Sequence, residues 1–138
     1  MIELIGWHFS TGRLGYGDDR EIVIGETHEV SGPLELCARG LHASEQILDA
    51  LGYAPGSILC RVRLHGEILR GEDKACATKR TYLTKIDATD ILLEFARKCA
   101  LDVIHLWDAP NMEHLLLIVK QFLETGDDTL RAAAETAA

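Results

Sequence analysis

Leu36-Cys37-Ala38-Arg39-Gly40-Leu41-His42-Ala43-Ser44, followed by Tyr53-Ala54-Pro55-Gly56 and by Ile58-Leu59-Cys60-Arg61-Val62-Arg63-Leu64-His65-Gly66-Glu67, decides the fold. From Ile58 the chain alternates. Ile58, Cys60, Val62 and Leu64 face one way, and Leu59, Arg61, Arg63 and His65 the other. Strand side chains point to opposite faces in turn, so this is a strand with one buried face. Glycine inside a strand marks a bulge or bend, so Gly66 interrupts the strand before Glu67-Ile68-Leu69 continues it. Upstream, Gly40 supplies a turn conformation that a residue with a Cβ resists. Ser44 reads as the N-cap of a short helix from Glu45 to Leu51, with Glu45 in its first turn. Ile47, Leu48 and Leu51 give that helix an apolar face, Gly52 stands just past its end, and Pro55-Gly56 forces a turn.

Working outward, residues 1–35 read as short strands and turns. Trp7-His8-Phe9-Ser10 lies on a first strand, with Trp7 and Phe9 packed inward and His8 on the opposite, accessible face. Gly12, Gly15 and Gly17 make Thr11 to Asp19 a hairpin tip or a mobile loop; no helix opens after them, so they are not a dinucleotide fingerprint. Ile22-Val23-Ile24 is a β-branched run closed by Gly25, and Ser31-Gly32-Pro33 is a turn before Leu34-Glu35-Leu36. Downstream, Asp73-Lys74 after Gly71 reads as a polar hairpin tip, where Asp73 can form an Asx-turn and Lys74 can reach a carboxylate. Thr81 to Ile86 is a second β-rich run, with Tyr82 and Thr84 on one face and Leu83 on the other.

The pattern changes at Asp87. Ile91, Leu92, Phe95, Cys99, Val103 and Leu106 recur at helical spacing, with Asp87 or Thr89 able to cap the start. Trp107-Asp108-Ala109-Pro110 breaks the chain. Asn111 then caps a second helix through Leu115, Ile118, Val119, Phe122 and Leu123 to Gly126, and Asp127-Asp128-Thr129 opens an alanine-rich terminal helix. Strands first and helices last make an α+β protein: a small strand-rich N-terminal part with one short helix, then two or three C-terminal helices. The expectation is a single domain, 1–138, with a mixed part over 1–86 and a helical part over 87–138.

At 138 residues, 47% hydrophobic and 26% charged, the composition is that of a soluble globular protein. No apolar run reaches the roughly 18 residues a membrane span needs. Met1-Ile2-Glu3-Leu4-Ile5 has no basic region ahead of it and is not read as a secretory signal. The net charge of −8 argues against non-specific nucleic-acid binding, which needs clustered cations to neutralise phosphate. The one basic cluster, Lys74, Lys79, Arg80 and Lys85 with Arg61, Arg63 and Arg70 upstream, reads as a solvated strand face. Cys37, Cys60, Cys76 and Cys99 form no C-x-x-C pair, so zinc and redox-dithiol spacings are absent. Cys37, Cys60 and Cys99 sit among apolar neighbours, as structural thiols do in a reducing compartment, and the expected location is cytoplasmic.

Six histidines are scattered, without the H-E-x-x-H spacing of a zinc site, and no metal is expected. His105 at a helix end and His114 in a first helical turn have structural explanations. His42 differs. It lies between Leu41 and Ala43, after a glycine turn, and burial would disfavour its charged form unless a partner holds it. It either ties loop to strand or faces a ligand cleft, and Glu67 is its expected partner.

Through Trp7-His8-Phe9, Gly32-Pro33-Leu34-Glu35-Leu36-Cys37, Gly40-Leu41-His42-Ala43-Ser44, Asp49-Ala50-Leu51-Gly52-Tyr53-Ala54-Pro55-Gly56, Cys60-Arg61-Val62, Gly66-Glu67-Ile68, Asp73-Lys74 and Arg80-Thr81, the chain resembles a family of small proteins of unknown function found in bacteriophage genomes and prophages. The resemblance covers roughly the first 100 residues and implies a phage or mobile-element origin, hence the cytoplasm of a host cell. A second resemblance is to ADP-ribosyltransferases of the poly-ADP-ribose polymerase type. His8, Gly40-Leu41-His42-Ala43, Ser44 with Tyr53, and Leu59 to Gly66 follow the order of that family's early histidine, glycine turn, short helix and strand. It implies a ribose-binding role for His8 and a nicotinamide-stacking position at 42. Position 42 is histidine where the family has tyrosine, and Glu94 and Glu113 lie in helical patterns rather than at the family's late catalytic glutamate.

Three functions are therefore expected. The first is a small acidic protein-binding module that engages a host or phage protein, for instance to inhibit a defence or nucleic-acid-binding protein, with no cofactor and no direct contact with nucleic acid or membrane. The alternative is an ADP-ribosyltransferase-like enzyme using NAD, with His8, His42 and Tyr53 lining its cleft. The third is a pocket that sequesters a nucleotide without turnover. The candidate site is His8, His42, Tyr53 and Glu67, with His42, His8 and Glu67 the catalytic candidates and Asp73 and Lys74 forming a polar turn beside them. The oligomeric state is left open.

Overall fold

The two alternating runs pair as one long hairpin. In a computed structural model of the protein, which describes residues 2–15, 17–108 and 110–137, β4 (Ile58–Arg70) lies antiparallel to β5 (Ala75–Asp87). The other strands are β1 (Leu4–Ser10), β2 (Thr27–Glu29) and β3 (Leu41–Ala43), and α1 (Ile47–Leu51) is the short helix. The sheet runs β1-β4-β5-β2, and β3 also pairs with β5. The helices α2 (Thr89–Val103), α3 (Glu113–Thr125) and α4 (Asp128–Ala137) follow, with a 3₁₀ turn at Ile104–Leu106. The α+β expectation holds. The chain divides into two compact units, Met1–Ala88 and Thr89–Ala138.

Cys60, Val62 and Leu64 are fully buried on one face of β4, as the alternation requires. With Leu4, Ile22, Ala43, Ala75, Ala77 and Tyr82 they form the core of the first unit. Gly66 has a φ of +78° and sits where the β4–β5 register shifts, so the bulge is a real one built on a conformation glycine adopts freely. Trp7 and Ser44 exchange backbone hydrogen bonds of 2.7 and 3.0 Å, so the β3 segment touches β5 on one side and β1 on the other. At this end the sheet closes on itself as β1-β4-β5-β3, and the small side chains of Ala43, Ala75 and Ala77 line the tight curl.

This closure corrects several expectations. Ser44 is buried in the bridge to Trp7 and caps nothing; α1 begins after Gln46 without a side-chain cap. Ile47 and Leu48 are exposed, and Ala50 is the residue α1 buries. Of Ile22-Val23-Ile24 only Ile22 is buried, and the strand forms later, at Thr27–Glu29. A second bulge pairs Val62 with Tyr82 and Arg61 with Thr84, leaving Leu83 unpaired, so Tyr82 is buried while Thr84 is exposed. Arg13 and Glu21 form an antiparallel bridge, so Thr11 to Asp19 is a hairpin tip.

In the second unit Gly126 ends α3 in the left-handed conformation and donates to the Phe122 carbonyl at 2.6 Å. Asp127 caps α4 through the Thr129 amide at 2.9 Å. Asn111 makes no cap; it takes a φ of +65°, and Met112 precedes α3. Cys99 and Cys37 are exposed, so only Cys60 and Cys76 are buried thiols. No helix among the described residues is long and apolar enough to cross a membrane. Met1 and Ala109, quoted above, lie outside the described residues.

Candidate functional site

The first unit contains a cavity of about 600 Å³, lined by β1, Arg13 to Gly15 and Asp18 of the hairpin tip, the 37–44 segment, Tyr53, Pro55, Lys74 and Arg80. That volume is within the roughly 300–1,000 Å³ of small-molecule sites. A second hollow, of about 100 Å³ beside Glu45, Asp49 and the Arg70–Ala75 turn, is too small for more than waters or an ion. His8, His42 and Tyr53 share the large cavity, as expected. Glu67 does not join them. It is exposed at the β4 bulge, its amide donating to Thr78 Oγ1 at 3.0 Å, and β5 separates β4 from β3.

His42 takes its partners from its own loop instead. Its Nε2 accepts the Cys37 N–H at 3.1 Å, so its proton stands on Nδ1 and is donated to the Gly40 carbonyl at 3.1 Å. Gly40 permits this loop: its φ is +129°, and a Cβ there would lie 2.9 Å from Leu34 Cδ2 and 3.0 Å from Cys76 Cβ. Burial first, then the Lys74 charge, holds the imidazole below its ordinary pKa against the opposing Gly40 bond. With both nitrogens engaged, His42 shapes the cavity wall and has no free base.

His8 pairs with Cys60 across the sheet, on the face opposite Trp7 and Phe9. Burial, then the charges of Arg80 and His42, keep it well below its ordinary pKa, so it is neutral at pH 7. The expected inward Trp7 and accessible His8 are reversed: Trp7 is half-buried outside the core, with the Arg61 guanidinium 4.3 Å from its ring centre, while His8 shares the face of the buried Cys60.

At the rim the Asp73-Lys74 hairpin tip meets Tyr53. Tyr53 donates its hydroxyl to Asp73 Oδ2 at 2.6 Å, and the Lys74 ammonium stands 3.8 Å from the Tyr53 ring centre. Lys74 does not reach a carboxylate; it hydrogen-bonds Cys37 Sγ, which chiefly raises its pKa. The Asp73 hydrogen bond likewise raises that of Tyr53.

Sequence reasoning missed the central group. Arg80, expected on a solvated face, is only 2% exposed and lines the cavity. It stands where β5 changes partner from β2 to β3: His28 is opposite it, and its Nη1 donates to the His42 carbonyl at 2.6 Å. Its Nε and Nη2 both donate to Tyr82 Oη, at 3.0 and 2.9 Å. Tyr82 Oη therefore turns its own proton to His28 Nδ1, 2.8 Å away. Burial raises the Tyr82 pKa, so the phenol is neutral, and burial lowers that of His28. Among the described residues no carboxylate pairs with Arg80. A buried cation held only by neutral acceptors could have been suspected from Arg80-Thr81-Tyr82, which places an arginine on the same strand face as a buried tyrosine.

Arg13, Arg39, Lys74 and Arg80 line the cavity against one carboxylate, Asp18, which pairs with Arg20 at 2.7 Å. Among the described residues no group of histidine, cysteine and carboxylate side chains is placed to hold a metal ion.

Fold and site define a small α+β protein whose first unit holds a cation-lined cavity between strands β1 and β3, Arg80 of β5 and the adjoining loops. A family model described as a domain of unknown function, DUF7666, matches residues 19–94, and the chain belongs to that family. The match takes in His42, Tyr53, Lys74 and Arg80 and begins after His8. Comparison with curated proteins and with solved structures gives no match.

Proposed function

We propose that the first unit is a binding module for a small anionic ligand of nucleotide size, held without turnover. One observation carries this: a chain of net charge −8 lines its large cavity with four cationic residues against one carboxylate already paired. Charge of one sign in a low-dielectric cleft concentrates ligands of the other. NAD fits as one such ligand, since a diphosphate suits the cationic lining. Transfer chemistry is disfavoured, because His42 has no free nitrogen and Asp18 is committed to Arg20. A phage or mobile-element origin, and the resemblance to ADP-ribosyltransferases, are consistent with a module that captures a nucleotide in a host cytoplasm. The test is a thermal-shift panel of mononucleotides, NAD and ADP-ribose. At least one should raise the melting temperature in a dose-dependent way; a flat panel at millimolar ligand refutes the proposal.

A second reading, the protein-binding module, draws on the helical unit, where Ile91, Leu93, Leu106 and Leu117 are exposed. Affinity purification from host cells should then return one reproducible partner whose capture is lost on Leu93→Glu and Leu106→Glu.

A further inference from the structure

Resting on the pocket proposed above, we infer that the Arg80 guanidinium is the seat of a phosphate group, with His8, which lines the same cavity, as a further hydrogen-bonding partner. A guanidinium carries five N–H groups. Three are used, two on Tyr82 Oη and one on the His42 carbonyl. Among the described residues, one N–H on each terminal nitrogen is left over, the arrangement a bidentate oxyanion contact needs. Among the described residues no carboxylate pairs with Arg80, and its acceptors, the Tyr82 phenol and the His42 carbonyl, are neutral. A buried cation without a counter-charge is costly, and an oxyanion entering the cavity would offset that cost. The Tyr82–His28 chain fixes the guanidinium in advance of binding, and His8 has no protein hydrogen-bond partner among the described residues.

The experiment is a titration of the full chain with ADP, adenosine and inorganic pyrophosphate, by calorimetry and by the Arg80 Nε–H resonance in nitrogen-correlated NMR. ADP is expected to bind at least tenfold more tightly than adenosine, pyrophosphate to compete with it, and both anions to move the Arg80 resonance. If ADP and adenosine bind alike and the Arg80 resonance stays still, the phosphate seat is wrong while the nucleotide pocket stands. If pyrophosphate moves the resonance and ADP binds no better than pyrophosphate, the seat stands and the nucleotide pocket falls. If no probe binds, both fall. Arg80→Lys should reduce the ADP preference at least tenfold. Should that variant fail to fold, His8→Ala, whose side chain has no protein hydrogen bond to lose, should weaken ADP and leave adenosine unchanged.

Discussion

Substituting Tyr82 by phenylalanine isolates one oxygen at the centre of the first unit. The ring, its edge-on contact with His28 at 5.0 Å and its volume all remain. What disappears is the acceptor for Arg80 Nε and Nη2 and the donor to His28 Nδ1. Hydrogen bonds to a charged group are worth about 1.5–3 kcal/mol each, and a buried donor left unsatisfied costs about 1–3 kcal/mol. The two Arg80 bonds share one oxygen and are not additive, so the expected loss is about 3–5 kcal/mol, in line with breaking a buried charged network. That is a large part of the roughly 5–15 kcal/mol available to a domain. Native-state hydrogen exchange of the β4 and β5 amides reads the first unit separately from the helices. A loss below about 1 kcal/mol would refute the argument that this hydroxyl satisfies and holds the buried guanidinium.

Three further outcomes are expected. Leu64→Ala, at a fully buried position, should cost about 2–5 kcal/mol by the same exchange measurement, and a cost under 1 kcal/mol would remove Leu64 from the core. Gly40→Ala should destabilise the first unit by at least about 1–3 kcal/mol, since it meets both a φ of +129° and contacts to Leu34 and Cys76, and a neutral result would mean the loop is built differently. His8, His28 and His42 are all held below the ordinary 6.5 in the folded state, so each takes up its proton more readily when unfolded. Stability should be constant between about pH 6.5 and pH 8 and fall below that window, by up to about 1.4 kcal/mol per pH unit for each such histidine until its folded pKa is passed; urea midpoints unchanged between pH 7 and pH 5 would contradict this.

What the sequence made legible was local. The alternation of Ile58 to Leu64, the Gly66 bulge, the Asp73-Lys74 tip and the Gly126 helix stop each follow from a spacing of about two or about 3.6 residues or from glycine's conformational range. The first half of β5 was not, because Ala75, Cys76 and Ala77 are all small and all buried and show no alternation. Ser44 misled because a serine before a helix resembles a cap, while its actual role depends on β1, some 35 residues away in sequence, reaching it. The same holds at the site. His8, His42 and Tyr53 stand out in the sequence and line one cavity, but a Glu67–His42 pair requires β4 to lie beside the Gly40 turn, and β5 lies between their strands. Arg80 reads as solvated because it groups with Lys74, Lys79 and Lys85 along the sequence; only the meeting of β2, β3 and β5 buries it.

The most direct test is a nitrogen–proton correlation map of the backbone amides during titration with ADP. A nucleotide-sized anion in the cavity should shift the amides of His8, Gly40, His42 and Ser44 together and in saturable fashion, leaving α3 and α4 still. Shifts confined to the helices, or none at millimolar ADP, would contradict the pocket.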